Sequence, residues 1–169
     1  MDALEAVLNR RSIRKYSDRS IPKDKINTLL EAAMNAPSAK NEQTWCFVVL
    51  DEKQYLKKIA VSHPHADMLK QADKAILVCG DLKREKTENY WMINCSAATE
   101  NILIAAHGLG IGSCWIGIYP RAERVNMIKE IVELPDHVVP FALVSLGYPD
   151  EKHRRVNRFD ESRVHYNKW

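Results

Sequence analysis

Four short apolar runs, separated by segments whose apolar residues recur at helical spacing, constrain this chain more than any other feature. Trp45 to Leu50 (WCFVVL), Ala75 to Gly80 (AILVCG), Ser113 to Ile118 and Val138 to Leu146 are rich in strand formers and short enough for interior strands. The first of them is expected to be buried. Between the runs, Ala3, Leu4, Val7 and Leu8 mark a short helix, and Ile26, Leu29, Leu30 and Ala33 form the apolar face of a second helix that Pro22 opens and Pro37 bounds. Residues 37 to 41 read as a loop, Glu52 to Ala60 as a helix, Tyr90 to His107 as a helix of about 18 residues stopped by Gly108, and Ala122 to Val132 as a further helix. Helical and strand segments interleave without an internal repeat or a long linker, which favours an α/β or α+β sandwich. The expectation is a single domain over residues 1–169, with 150–169 as a C-terminal extension. Within it, Val164 to Trp169 alternates apolar and polar residues, a pattern that suits a sheet edge or a reach across a neighbouring subunit.

The 169 residues are 46% hydrophobic and 28% charged, enough for a core that needs neither a disulfide frame nor a structural metal. No apolar stretch approaches the roughly twenty residues that cross a bilayer. Acidic residues precede the first apolar stretch in MDALEAVLNRR, without a small-residue cleavage site, so a secretory leader is not expected and residence is read as cytoplasmic. Cys46, Cys79, Cys95 and Cys114 are widely spaced, with no CxxC, and read as reduced and mainly buried.

Lys and Arg number 25 against 22 Asp and Glu, a net charge of +3 that argues against a nucleic-acid partner. The basic residues nevertheless gather in two places: Arg10, Arg11, Arg14 and Lys15, then Lys152, Arg154, Arg155, Arg158 and Arg163. Two readings stand: a clamp on a compact anion such as phosphate, or a solvated surface at each terminus. The long helix carries Ile93, Ala97, Ile104 and His107 along one side, and Asn94, Ala98, Asn101 and Ala105 along a smaller, more polar one. That small face fits a subunit contact or close packing within one protomer.

The glycines of Gly108-Leu-Gly110-Ile-Gly112-Ser113 follow a helix and lead toward a strand, the reverse of a dinucleotide-binding turn. No phosphate loop, nucleophile elbow or HExxH helix occurs. His63 and His65 flank Pro64 without acidic ligands at a convincing spacing, and Asp67 and Asp73 suggest no carboxylate pair, so neither a metal ligand nor a catalytic side chain is assigned. Such a chain suits chemistry carried by a cofactor.

Arg10-Arg11-Ser12-Ile13-Arg14-Lys15-Tyr16 resembles the FMN-phosphate motif of the nitroreductase family of flavoproteins. Ala36-Pro37-Ser38-Ala39-Lys40-Asn41-Glu42-Gln43-Thr44-Trp45 is similar to the family's second signature. Cys114-Trp115-Ile116-Gly117, Gly147-Tyr148-Pro149 and Arg158 resemble further features in the family's order, and the match covers essentially residues 3 to 166. The resemblance implies an α+β three-layer sandwich, a mostly antiparallel sheet flanked by helices, with the C-terminal segment reaching the partner subunit.

It also implies FMN held by residues from several segments. Arg10, Ser12 and Arg14 would contact the phosphate, with Arg11 sharing the task or facing solvent; Arg158, with Arg155 assisting, would reach the same phosphate, in trans if the tail embraces a neighbour. Pro37, Ser38, Ala39, Asn41 and Gln43 would lie near the flavin and its ribityl chain, although Ser38 and Asn41 also suit turn caps. The Ile116 and Gly117 backbone would meet the isoalloxazine edge, while Trp45 and Cys114 read as core residues. The implied unit is a homodimer with two flavins, taking hydride from NADH or NADPH and passing electrons to a small electron-poor acceptor such as a nitroaromatic or quinone. The alternatives are a flavin-binding protein with little turnover or another electron donor, and a basic surface protein for an acidic partner. Ala39 stands where many relatives use serine, Thr44 where proline is common, and the segment from Asp81 to Asn89 is short, which suggests an open pocket.

Overall fold

The structure, a computed structural model, describes residues 2–153 and 155–169; Arg154 of the second basic cluster lies outside the described residues. Its elements are α1 (Ala3–Asn9), α2 (Lys23–Met34), β1 (Trp45–Leu50), α3 (Lys53–Ser62), β2 (Lys74–Asp81), α4 (Trp91–Gly108), β3 (Gly112–Gly117), α5 (Ala122–Ile131) and β4 (Val138–Gly147), with short 3-10 turns at Ala39–Asn41, Asp67–Lys70 and Glu161–Arg163. The four strands form one sheet in the order β1-β2-β4-β3, every neighbouring pair antiparallel. Among the described residues, no helix is long and apolar enough to cross a membrane.

The sheet separates two cores, and the period of two along β2 shows why. Ile76 and Val78 pack with α2 and α4 on one face, while Ala75, Leu77 and Cys79 pack with α3 and α5 on the other. β4 repeats the pattern, with Val144 and Leu146 on the first face and Leu143 on the second. Both central strands are covered on both sides and so read as continuous apolar runs. Each fully buried Leu or Ile in these layers contributes roughly 1.5–3 kcal/mol of transfer free energy, and truncating Leu77 to alanine would cost about 2–5 kcal/mol.

β1 departs from the expectation of a buried strand. It lies at the sheet edge, with Trp45 and Leu50 buried and the four residues between them only half-buried. The inner side of α4 also differs from the most apolar stripe in its sequence: Asn94 and Ala98 are buried, whereas Ile93 is 59% exposed. Asn94 can turn inward because both ends of its amide find partners, Nδ2 donating to Thr44 Oγ1 at 3.0 Å and Oδ1 accepting from the Ala39 N–H at 3.0 Å. α4 ends at Gly108, but the left-handed residue that turns the chain is Gly110, at φ 71°, which lets the Ile111 N–H reach Ala106 O at 2.8 Å. The alternation in residues 164–169 does not produce a strand; this end is irregular and exposed. A period of two without a neighbouring edge to pair with has no ladder to form.

Candidate functional site

β3 is the other edge of the sheet, and its register decides which backbone groups are free. Gly117 lies opposite Ala142, and the next residue along, Ile118, donates its N–H to Phe141 O at 3.4 Å. Antiparallel pairs alternate, so Ser113, Trp115 and Gly117 turn their N–H and C=O groups away from β4. Two of these carbonyls are taken: Ser113 O accepts the Ile13 N–H at 2.9 Å, and Gly117 O accepts from His63 Nε2 at 3.1 Å and from Arg124 Nη1 at 2.9 Å. The N–H groups of Trp115 and Gly117 lie along the free edge. Beside them is a cavity of about 420 Å³ lined by Cys114 through Gly117, Arg14, Arg124, His63, His65, Met68 and a single carboxylate, Asp67.

The basic segment is built against this edge. Ser12 bridges to Ser113 in parallel, and the Tyr16 hydroxyl donates to Ile13 O at 2.6 Å and sits 2.8 Å from Ser145 Oγ. Tyr16 is buried, which pushes its phenol well above the ordinary range. Glu151 Oε1 accepts the N–H groups of Arg14 at 2.6 Å and Lys15 at 3.2 Å, and these donors hold its carboxyl below the usual value. Arg14 lines the β3 cavity, whereas Arg11 lies at a separate one. Arg11 caps α1 through Leu8 O at 3.2 Å and lines a second cavity of about 410 Å³ with Ile13, His107 and Arg155. Arg10 pairs with Glu100 of α4 at 3.4 Å.

The remaining predicted residues lie elsewhere. Pro37, Ser38, Ala39, Asn41 and Gln43 do not line the β3 cavity. They form a tight turn in which Ser38 Oγ accepts the Gln43 N–H at 3.0 Å and Asn41 Oδ1 accepts from Gln43 Nε2 at 3.0 Å; Asn41 and Gln43 have φ of 56° and 48°. Thr44, at the position where proline is common in the resembled family, is buried and supplies the partner of Asn94. In the tail, Arg155 borders the second cavity and Arg158 is exposed, so within one chain neither meets Arg14 at the β3 edge.

Ile116 and Gly117 do line the cavity, and Gly117 is informative. A Cβ built there would meet no protein atom within 4 Å, and its φ is not positive, so neither packing nor backbone conformation calls for glycine. The missing side chain leaves room on the cavity side, as close approach by a planar ligand would need. Cys114 is buried and its thiol is pushed up by burial, a core thiol rather than a thiolate; Cys79 and Cys95 are also buried, and Cys46 is half-buried, all four free. Three residues that sequence patterns did not single out for this site, His63, Arg124 and Glu151, shape it through contacts. Glu151 carried a weak sequence cue, as one of two acids, Asp150 and Glu151, that follow Gly147-Tyr148-Pro149. Among the described residues, no group of three or more His, Cys, Asp or Glu side chains could hold a metal ion.

An antiparallel sheet between two helical layers, with a basic segment docked on its β3 edge, is the frame on which the site is built. The sequence profile of the nitroreductase family matches residues 7–65 and 60–148, and the chain belongs to that family. It is 46% identical over 169 residues to a Methanothermobacter thermautotrophicus protein provisionally named an NADH dehydrogenase/NAD(P)H nitroreductase, a match spanning 100% of this chain and 88% of the relative. Its fold superposes on an FMN-dependent nitroreductase from Clostridium difficile with a TM-score of 0.92 at 32% identity, covering 98% of this chain and 99% of the other. A provisionally assigned nitroreductase from Desulfovibrio desulfuricans, solved in complex with FMN, matches with a TM-score of 0.85 at 25% identity over 100% of this chain and 98% of that one.

Proposed function

We propose that this chain binds FMN at the β3 edge and acts as an FMN-dependent NAD(P)H oxidoreductase. The observation that carries the reading is the β3 edge itself: outward N–H groups of Trp115 and Gly117, the Arg14 side of the basic segment, and a glycine whose absent side chain serves nothing within the protein. Arg14, Arg10 and Ser12 would hold the phosphate, with arginine supplying the charge-assisted donors. The backbone of Ile116 and Gly117 would meet the flavin's polar edge. Bound FMN supplies hydride acceptance from a nicotinamide and electron delivery to a second small molecule. The protein's own part is to offer fixed dipoles where negative charge gathers, to exclude water and to orient the donor, which requires no nucleophile or acid–base side chain.

The site is completed by a second copy in this reading. The turn from Pro37 to Gln43 and the tail arginines Arg155 and Arg158 lie away from the Arg14 cavity of their own chain, and both would serve the partner's flavin. Exposed apolar residues support this: Leu4, Val7 and Leu8 on α1, Ile93 on α4, and Phe159, Tyr166 and Trp169 on the tail. Nitroaromatics and quinones are the acceptors to test first. The deciding experiment is reconstitution with FMN followed by anaerobic mixing with NADH and NADPH. Flavin absorption that travels with the protein and bleaches with either donor is the expected result. A protein that retains no flavin refutes the reading, and one whose flavin neither donor reduces leaves a binding function without this enzymology.

A further inference from the structure

We propose that His63 is a positioning residue for the β3 edge: as the neutral tautomer protonated at Nε2, it fixes the Gly117 peptide so that the Gly117 N–H faces the flavin. This rests on the flavin reading of the β3 cavity. The ring's tautomer follows from its two contacts. Nδ1 lies 3.1 Å from the His65 backbone N, an N–H that only an unprotonated ring nitrogen can accept, so the ring hydrogen sits on Nε2 and is donated to Gly117 O at 3.1 Å. His63 is 2% exposed, and its one N–H is committed to a carbonyl, so it orients the peptide rather than exchanging protons with a substrate.

The Gly117 carbonyl receives a second donor from a different element, Arg124 Nη1 of α5 at 2.9 Å. A carbonyl has two lone pairs, and both are used. In an extended residue the N–H and C=O point to the same side of the strand, so holding one sets the direction of the other. Gly117 ends β3 and has the freest backbone of any residue type, so this is where the edge would wander without two ties.

Burial comes first in keeping the ring neutral, and the Gly117 bond works against it by favouring a proton. Arg124, facing the ring from α5, and His65 in its own loop add to the effect of burial, and Arg14 and Asp67 line the same cavity. Protonation at Nδ1 would also break the bond from the His65 N–H.

The test uses the full-length protein with wild type, His63→Ala and His63→Gln, the last placing an amide nitrogen near the lost Nε2. Three readouts separate the inference from the reading beneath it: the His63 tautomer by long-range 1H–15N NMR without flavin, FMN affinity by fluorescence quenching, and the ratio of affinities for reduced and oxidised FMN from equilibration with a reference dye. Expected are the Nε2–H tautomer at pH 7, a roughly tenfold weaker FMN affinity in His63→Ala with the larger loss in the reduced form, and recovery to within about threefold in His63→Gln. Arg124→Met, which removes the second donor from α5, should shift the ratio in the same direction and serves where His63→Ala does not fold. An imidazolium or Nδ1–H form at pH 7, or an unchanged ratio in the folded variants, overturns the role of His63. Wild type that binds no FMN while showing the Nε2–H tautomer overturns the flavin reading and the role with it.

Discussion

The two basic clusters carry similar charge and have opposite structural status. The first is held at almost every residue: Ile13 N–H on Ser113 O, Arg14 and Lys15 N–H on Glu151, and the Tyr16 hydroxyl buried between Ile13 O and Ser145. The second is exposed at Arg155 and Arg158, and Arg163 donates to Asp160 of its own turn at 2.9 Å. Similar charge therefore comes with very different anchoring. The first cluster is docked on a sheet edge where Arg14 lines a cavity, whereas the second sits on a segment with exposed Phe159, Tyr166 and Trp169, the surface that the proposed second copy would cover.

The largest effect expected from this contrast is on assembly. Removing residues 155–169 should convert the proposed dimer to a monomer in light scattering and weaken FMN binding at least about 100-fold, since exposed apolar surface is lost together with Arg155, Arg158 and Arg163. A truncated protein that stays dimeric and holds FMN as before would make the tail a solvated appendage. Next comes Arg14→Ala. Losing a charge-assisted bond of about 1.5–3 kcal/mol should weaken FMN binding roughly 10- to 150-fold by titration, with little change in Tm because the side chain is exposed. An unchanged affinity would remove Arg14 from the phosphate site.

Glu151→Gln should act more gently, loosening the frame while leaving every arginine in place. The carboxylate's affinity for protons is lowered in the fold, so it contributes stability that is full above the unfolded glutamate value of about 4.3 and is lost as pH falls through the lower folded value. Glutamine lacks that titration. The variant should lose a few-fold in FMN affinity at pH 7 and show a shallower decline of Tm below about pH 4.3. Identical acid profiles for the two proteins would show that Glu151 does not hold the segment.

The elements were legible where local pattern decides them. Leu29 and Ala33 fell on the inward face of α2 as their spacing requires, and β2 and β4 read as continuous apolar runs because helices cover both sides. Pattern failed where the outcome depends on a neighbour. β1 is as apolar as β2 yet occupies an edge, and the alternation of residues 164–169 found no strand to pair with. The resemblance in residues 10–16 and 114–117 assigned Arg14 and Gly117 to one ligand, and the fold sets both beside one cavity, but nothing in the motif indicated that Arg11 would line a separate one. The ties on Gly117 were invisible for a plainer reason. His63 lies 54 residues away in the chain, and no local spacing announces that an imidazole will meet a particular carbonyl.

A β3 edge shaped for a ligand rather than for the protein's own packing should respond to Gly117→Ala in binding and not in folding. The new methyl meets no protein atom within 4 Å, so the flavin-free variant should be as stable as wild type or about 0.4–1 kcal/mol more stable, while FMN affinity falls about tenfold or more in parallel titrations. A variant that binds FMN as tightly as wild type, with stability equally undisturbed, would contradict the account and place the flavin elsewhere.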